Sequence, residues 1–441
     1  MKVIHVLNHF LPYQTAGTEV YTWALIWNLR QTALVQASIL IPNYGKEFNE
    51  YYHYDGIEVT RYAEPSVVDR KLIMGIRKPD GLLAFEQYLQ ENKPDIVHFH
   101  ELAGSNGVTL WHVKAAKKNG ARVVITFHLA SYSCATGTLV YKDQQLCDGK
   151  INLYKCSKCY LQFKGQRSVS PFLLPVSFLL YKAGVNTTKW NNKPGTALGT
   201  VYLIHQLKQK FKDLINTCDK VVVLTDWYKK ILELNEVQPG KIALIKQALP
   251  KDTVEYKKKG VREGSLPIKL VFVGRISPFK GLHILLSAVL KFSVNEIELD
   301  IYGSSNDNAY ESGWKEKTKS KINIRWKGAI SPDAVVNTLS EYDALCLCST
   351  FSEMSPLVIQ EAFAAGIPVI ASNVYGNAEQ IVHDQNGLLF RFKDVESLKD
   401  QLARCVRDPF LLPGLRQNIK APRSFSETGN AYYALYKTLL N

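Results

Sequence analysis

The sequence predicts an α/β protein made of two doubly wound domains, each a parallel sheet of short buried strands covered by helices. Three observations predict it. Short apolar runs alternate with amphipathic stretches along most of the chain, the pattern of right-handed βαβ units. The runs fall into two series, separated by the polar segment "KDTVEYKKKGVREGSLP" (251–267), which reads as an interdomain linker. The composition, 46% hydrophobic and 21% charged over 441 residues, is that of a globular chain with room for two or three domains. No run reaches the roughly 18–20 apolar residues of a spanning helix. The first residues, "MKVIHVLNHF", enter a strand pattern at once and do not read as a signal peptide, which points to the cytoplasm.

In the first series the expected strands are "KVIHVLN" (2–8), "QASILIP" (36–42), "GIEVTRY" (56–62), "DIVHFH" (95–100), "RVVITFH" (122–128) and "KVVVLT" (220–225). Residues 129–215 interrupt this series and are too many for an ordinary connection. Within them, 149–212 hold 11 Lys and Arg and no Asp or Glu, in a chain of formal charge +14. Such a block suggests a polyanionic partner. The apolar stretch "SVSPFLLPVSFLLYKAGV" (168–185) lies inside it and favours a membrane interface over nucleic acid. A solvated basic loop over a buried helix is the plainer reading. Cys134, Cys147, Cys156 and Cys159 cluster in the same segment, the last two as C-x2-C. Four close thiols suit tetrahedral zinc, with free or redox cysteines and an iron–sulfur centre as alternatives.

The second series comprises "IKLVFVGR" (268–275), "ELDIYG" (298–303), "INIRWKG" (322–328), "ALCLCST" (344–350) and "IPVIAS" (367–372). Between the last two lies "EMSPLVIQEAFAAG" (353–366). Proline fits the first turn of a helix and breaks its interior, so Pro356 is expected at the first helical position with Ser355 as N-cap. The helix should run through Ala364 and stop near Gly366. Its N-terminus, with the amides of Leu357 and Val358, is a ready anion site. Glu353 in the loop and Glu361 in the helix flank it. Two carboxylates beside an anion site suit hydroxyl groups attached to a phosphate, as in a nucleotide sugar; a charged loop residue and a solvated helix residue are the alternative. In "VFVGRISPFKG" (271–281), Arg275 and Lys280 bring two cations to the same sheet edge, where open α/β sheets bind ligands.

Over these motifs the sequence resembles the family 4 retaining glycosyltransferases of the GT-B fold. "GRISPFKG" is similar to their diphosphate motif, and 353–390 to their donor-site signature. The resemblance implies two Rossmann-like domains facing across a cleft: an acceptor-side domain over 1–255 carrying the insertion at about 129–215, a donor-binding domain over 256–415, and a C-terminal helix at 416–441 packing back on the first. It implies that Arg275 and Lys280 contact the donor diphosphate, Glu353 the transferred sugar, Glu361 the ribose, and the amides after Ser355 the distal phosphate. "LPYQTAGTEVYTWALIWNL" (11–29) resembles the family's glycine-rich loop and first helix, with Ala16 and Gly17 where two glycines are usual. "TFH" (126–128) resembles the strand end whose histidine, here His128, faces the donor sugar.

The implied function is retaining transfer of a sugar from a nucleoside-diphosphate donor to a saccharide acceptor, with no catalytic metal because the two cations replace it. Added to the basic, apolar insertion, this gives a peripheral enzyme on the inner face of the membrane that extends a polyprenyl-linked glycan in polysaccharide biosynthesis. A nucleotide-sugar epimerase of the same fold is the nearest rival, but such enzymes lack the Arg–Lys and E-x7-E arrangement. A zinc-containing nucleic-acid-binding protein is a rival from another class, and it leaves the donor-site residues unexplained.

Overall fold

A computed structural model describes residues 1–31, 34–73, 76–103, 107–190, 192–250 and 267–441. The expected linker at 251–267 therefore lies almost wholly outside the described residues. The chain forms two compact units. The first comprises Met1–Asp143, Cys147–Lys246 and Phe425–Asn441; the second comprises Gln144–Leu146 and Gln247–Ser424.

The first unit is built on an eight-stranded sheet. Its strands are β1 (Lys2–Val6), β2 (Gln36–Tyr44), β3 (Glu50–Tyr54), β4 (Ile57–Glu64), β5 (Ile96–Phe99) and β6 (Arg122–Phe127), then β9 (Lys220–Val223) and β10 (Ile242–Leu244). The two-residue strands β7 (Val140–Tyr141) and β8 (Gln145–Leu146) lie in the segment after β6. The sheet order is β10-β9-β6-β5-β1-β2-β4-β3. Every pairing is parallel except β3 on β4. The sequence pattern misses β3 because "EYYHY" alternates half-buried and exposed residues at a sheet edge, with no apolar run. From β1 the chain builds outward to β2 and β4, then returns to place β5 on the other side of β1. That reversal is a switch point, and crevices form there beyond the C-terminal strand ends. The C-terminal helix Phe425–Leu440 belongs to this unit and packs on the helix Gly17–Gln31.

The second unit contains β11 (Ile268–Val273), β12 (Ile297–Tyr302), β13 (Ile324–Gly328), β14 (Ala344–Leu347), β15 (Val369–Ser372) and β16 (Gly387–Phe390). They form a parallel sheet of order β13-β12-β11-β14-β15-β16. Alternate residues feed separate cores on its two faces, as the period of a strand requires. Leu270 and Phe272 join Leu282, Leu285 and Leu286 on one face. Val271, Leu345 and Leu347 join Ile359, Ala362 and Phe363 on the other. The switch point lies between β11 and β14. Those two strands deliver the segments 274–281 and 348–356.

Candidate active site

At the switch point of the second unit the chain turns on a glycine. Gly281 has φ +68°, and a Cβ there would lie 1.8 Å from the carbonyl oxygen of Cys348. The segment after β11 is thus pressed backbone to backbone against the segment after β14. Beside it, the Thr350 amide donates to the Phe279 carbonyl at 2.8 Å. This contact sets Lys280 Nζ 2.6 Å from Glu353 Oε1. Glu353 is buried, with a side chain 8% exposed. The Ser349 hydroxyl donates to the same carboxylate oxygen at 2.6 Å. Lys280 retains more exposure than its partner, so its head is still open to a further anion. Arg275 stands apart: it is exposed and has no ion-pair partner among the described residues.

The helix that follows spans Leu357–Ala364 and ends before Gly366, which has φ +71°. Its start corrects the sequence reading. Pro356 occupies the cap position with φ −66° and ψ 122°, and no side chain caps the helix. Ser355 is not the N-cap, and Leu357 rather than Pro356 is the first helical residue. Proline's ring fixes φ but not ψ, and here ψ is extended. Beside it, Gly376 packs against the carbonyls of Glu353 and Met354, close enough that a Cβ would lie 2.2 Å from the first. Leu357 and Val358 nevertheless remain the first two amides of the helix, with the unpaired donors of a helix N-terminus. Glu361, the fifth helical residue, is half-buried, and its carboxylate has no partner among the described residues. Burial pushes it up to about 7.

The sequence reading omitted the supports of this site. Ser372 Oγ donates to the Ser349 carbonyl at 2.9 Å, and Asn377 Nδ2 to the Ser372 carbonyl at 3.0 Å. Nothing in their spacing marks these residues; only the adjacency of β14 and β15 brings them together.

In the first unit, the predicted histidine heads a buried chain of imidazoles. His128 Nε2 lies 3.3 Å from His100 Nδ1, and His100 Nε2 lies 2.9 Å from His5 Nδ1. His98 stacks beside them and bonds Thr126 Oγ1 at 2.8 Å and Tyr436 OH at 2.6 Å. Burial lowers His5 and His128 to about 3 and holds His98 and His100 well below the ordinary range, so all four are neutral. A neutral imidazole has one donor and one acceptor, and accounting then sets the proton positions. His5 Nε2 is buried without a partner. Were it protonated, a buried N–H would be orphaned, which is rarer and costlier than a bare acceptor. The proton therefore sits on Nδ1 of His5 and of His100, each donating along the chain. His128 Nε2 accepts, and His128 carries its proton on Nδ1.

"DIVHFH" contained the signal for His98 and His100, since residues two apart share a strand face. Gly17 is exposed and begins the helix Gly17–Gln31. Two positions on, Glu19 is buried with Oε2 unpartnered, and burial raises it to about 7. The C-terminal helix supports the cluster: Tyr432 OH bonds both Tyr21 OH, at 2.9 Å, and Thr126 Oγ1, at 2.8 Å.

His5, His98 and His100 could in principle share a metal ion, since one ring nitrogen from each lies within 4.8 Å of the others. Their ring nitrogens, His5 Nε2 excepted, are already hydrogen-bonded, so an ion would have to break that chain. The four predicted cysteines lie elsewhere in this unit and line a single cavity.

Comparison with known proteins gives concordant results for both halves of the chain. Residues 15–150 match the model for Glycosyltransferase Family 4, and residues 254–424 match that for Glycosyl transferases group 1. An uncharacterised 41.2 kDa protein in the cps region of Klebsiella pneumoniae is 24% identical over 79% of this chain and 80% of its own length. A glycogen synthase of Mycobacterium tuberculosis is 28% identical, but over only 32% of this chain and 35% of its own. Among solved structures, a sucrose-phosphate synthase from Thermosynechococcus elongatus aligns over 99% of this chain and 98% of its own, with TM-score 0.66 and 15% identity. Anabaena Alr3699/HepE in complex with UDP-glucose aligns over 100% and 99%, with TM-score 0.61 and 13% identity.

Proposed function

The chain belongs to the family 4 glycosyltransferases, enzymes of the GT-B fold, and from that premise we propose that it transfers a sugar with retention from a nucleoside diphosphate to a lipid-linked saccharide. The observation that carries the reading is the Lys280–Glu353 pair at the switch point, beside an uncapped helix N-terminus and the unpartnered Glu361. In this reading the donor's distal phosphate takes the amides of Leu357 and Val358. Lys280 and Arg275 neutralise the diphosphate, and Glu353 accepts from sugar hydroxyls. Glu361 accepts from the ribose. The bond from the anomeric carbon to the phosphate oxygen breaks as the acceptor oxygen bonds to the same face. The acceptor's proton passes to the departing phosphate. Charge grows on that leaving group in the transition state, which is where fixed cations lower a barrier most. His128, in the first unit, is a neutral imidazole and so is poorly suited to act as a general acid. HepE was solved with UDP-glucose, which makes a uridine donor the first to test.

A thermal-shift comparison of UDP, GDP and ADP tests the donor class. The preferred nucleotide at 100 times its dissociation constant should stabilise by roughly 2.7 kcal/mol. No stabilisation by any of the three would sink the reading.

Glu361 makes the binding pH-dependent. Its folded value is raised to about 7 from an ordinary 4.5, so the buried charge is absent below pH 4.5 and fully present only above 7. Its cost to stability therefore grows as pH rises through that window and levels off above it. Ribose hydroxyls donate best to the ionised form. Nucleotide affinity should therefore rise from pH 5.5 to 8, and Glu361→Gln should flatten the profile while gaining relative stability towards pH 8. Calorimetry at three pH values would show this; an unchanged slope in the variant would refute the ribose assignment.

The acceptor proposal rests on the helix Ser170–Lys182. Ser170, Leu174 and Ser177 face inward. Val169, Phe172, Val176 and Leu179 are exposed, the last three at 78%, 45% and 68%. Their spacing makes one apolar stripe, within the acid-free segment that holds 11 cations. No helix among the described residues is long and apolar enough to cross a membrane, but this stripe is shaped to lie on an anionic one. Phe172, Val176 and Leu179 changed together to serine should abolish flotation with anionic liposomes at low salt. Leu174→Ser should instead destabilise the fold, because Leu174 packs with Leu161 and Val201. Flotation unaffected by the triple change would remove the membrane partner.

A further inference from the structure

We propose that Cys134, Cys147, Cys156 and Cys159 form a tetrathiolate site for a structural zinc ion, independent of the sugar-transfer reading. The four come from three separate pieces of chain. Cys134 follows the turn Ala130–Tyr132 after β6, and Cys147 follows β8. Cys156 and Cys159 lie one turn apart on the helix Leu153–Phe163. All four line one cavity, along with Thr136, Val140 and Lys155.

Hydrogen-bond donors stand beside the sulfurs. The Lys142 amide donates to Cys159 Sγ at 3.3 Å, and the Asn152 amide to Cys156 Sγ at 3.4 Å. The Gly149 amide bonds the Cys147 sulfur. Thr136 Oγ1 lies 3.2 Å from Cys134 Sγ. Each sulfur thus has a donor group beside it, the outer-shell pattern that orients metal ligands. A zinc ion with four thiolates carries charge −2. Lys155 acts electrostatically on both Cys147 and Cys156 and also pairs with Asp148, whose carboxylate lies 3.8 Å from Cys147 Sγ.

Two other uses of these residues fit less well. A redox C-x2-C pair draws its reactive thiolate from a helix N-terminus. Such a pair needs two cysteines, and here Cys134 and Cys147 line the cavity as well. A disulfide is the second use, and all eight cysteines are free. The sulfurs surround the cavity without converging: no three of the four all lie within 4.8 Å of one another. Zinc–sulfur bonds of about 2.3 Å require the side chains to turn inward on the ion. Each thiol gives its proton to solvent as its sulfur binds, so uptake releases up to four protons.

The site would tie the basic insertion to the end of β6, six residues after His128. Protein purified without chelator should hold about one equivalent of zinc by elemental analysis. Cobalt(II) in its place should give an intense tetrahedral thiolate spectrum. Cys156→Ser should lose the metal, whereas Cys405→Ser, in the other unit, should keep it. Less than about half an equivalent of any metal in the unaltered protein, a weak octahedral cobalt spectrum, or equal retention by Cys156→Ser would each overturn the proposal. The first two outcomes need no variant and so do not depend on its folding.

Discussion

Gly281→Ala should abolish a correctly folded second unit, with a loss on the order of 4 kcal/mol or more. Two effects add. The backbone has φ +68°, where a residue with a side chain is strained by roughly 1–2 kcal/mol. The added Cβ would also fall 1.8 Å from the Cys348 carbonyl oxygen. That oxygen belongs to a strand end and cannot swing aside as a flexible side chain would. The matched control is Gly313→Ala. Gly313 lies inside the helix Asn308–Thr318, and a Cβ there meets nothing within 4 Å. That change should stabilise by roughly 0.5–1 kcal/mol. Denaturant unfolding of both variants decides the matter. Equal stabilities would mean that the turn after β11 does not press on β14 as described.

Lys280→Ala should lower turnover at least tenfold, about 1.4 kcal/mol in the barrier, because it removes a cation from the departing diphosphate. It also leaves the buried Glu353 with only Ser349 as partner, which should cost about 1–3 kcal/mol of stability. The two effects can be separated. Adding Glu353→Gln to Lys280→Ala removes the stranded charge, so stability should recover while turnover stays low. Near wild-type activity in purified Lys280→Ala would refute the role of the lysine. Recovery of activity in the double variant would show that the lysine acts only by neutralising Glu353 and that the Glu353 carboxylate is not needed on the sugar.

The donor-side motif was largely legible because it is local. Gly366 stops the helix where its left-handed turn is expected, and Leu357 and Val358 are its leading amides. The cap lies one residue later than the sequence predicts, since proline fixes φ and leaves ψ free. The apolar stretch in the insertion was legible as a helix, but its outward face was not. Nothing in the sequence separates Leu174 from Phe172. Only packing against the helix Thr200–Thr217 turns Leu174 inward and leaves Val176 and Leu179 outside.

The sequence by itself determined most of the strands, the helix stop at Gly366, the two charged motifs and the resemblance to the family. All of these are written in residues close together along the chain, where propensity and periodicity act. Only the tertiary structure decided which strand ends are neighbours. Placing β11 beside β14 brought Lys280 to Glu353 across 73 positions. Placing β1, β5 and β6 side by side turned three unremarked histidines and His128 into one buried cluster. Folding of the insertion set four scattered cysteines around one cavity. Contacts of this kind depend on sheet order, which the burial of whole strand faces selects and no local pattern encodes.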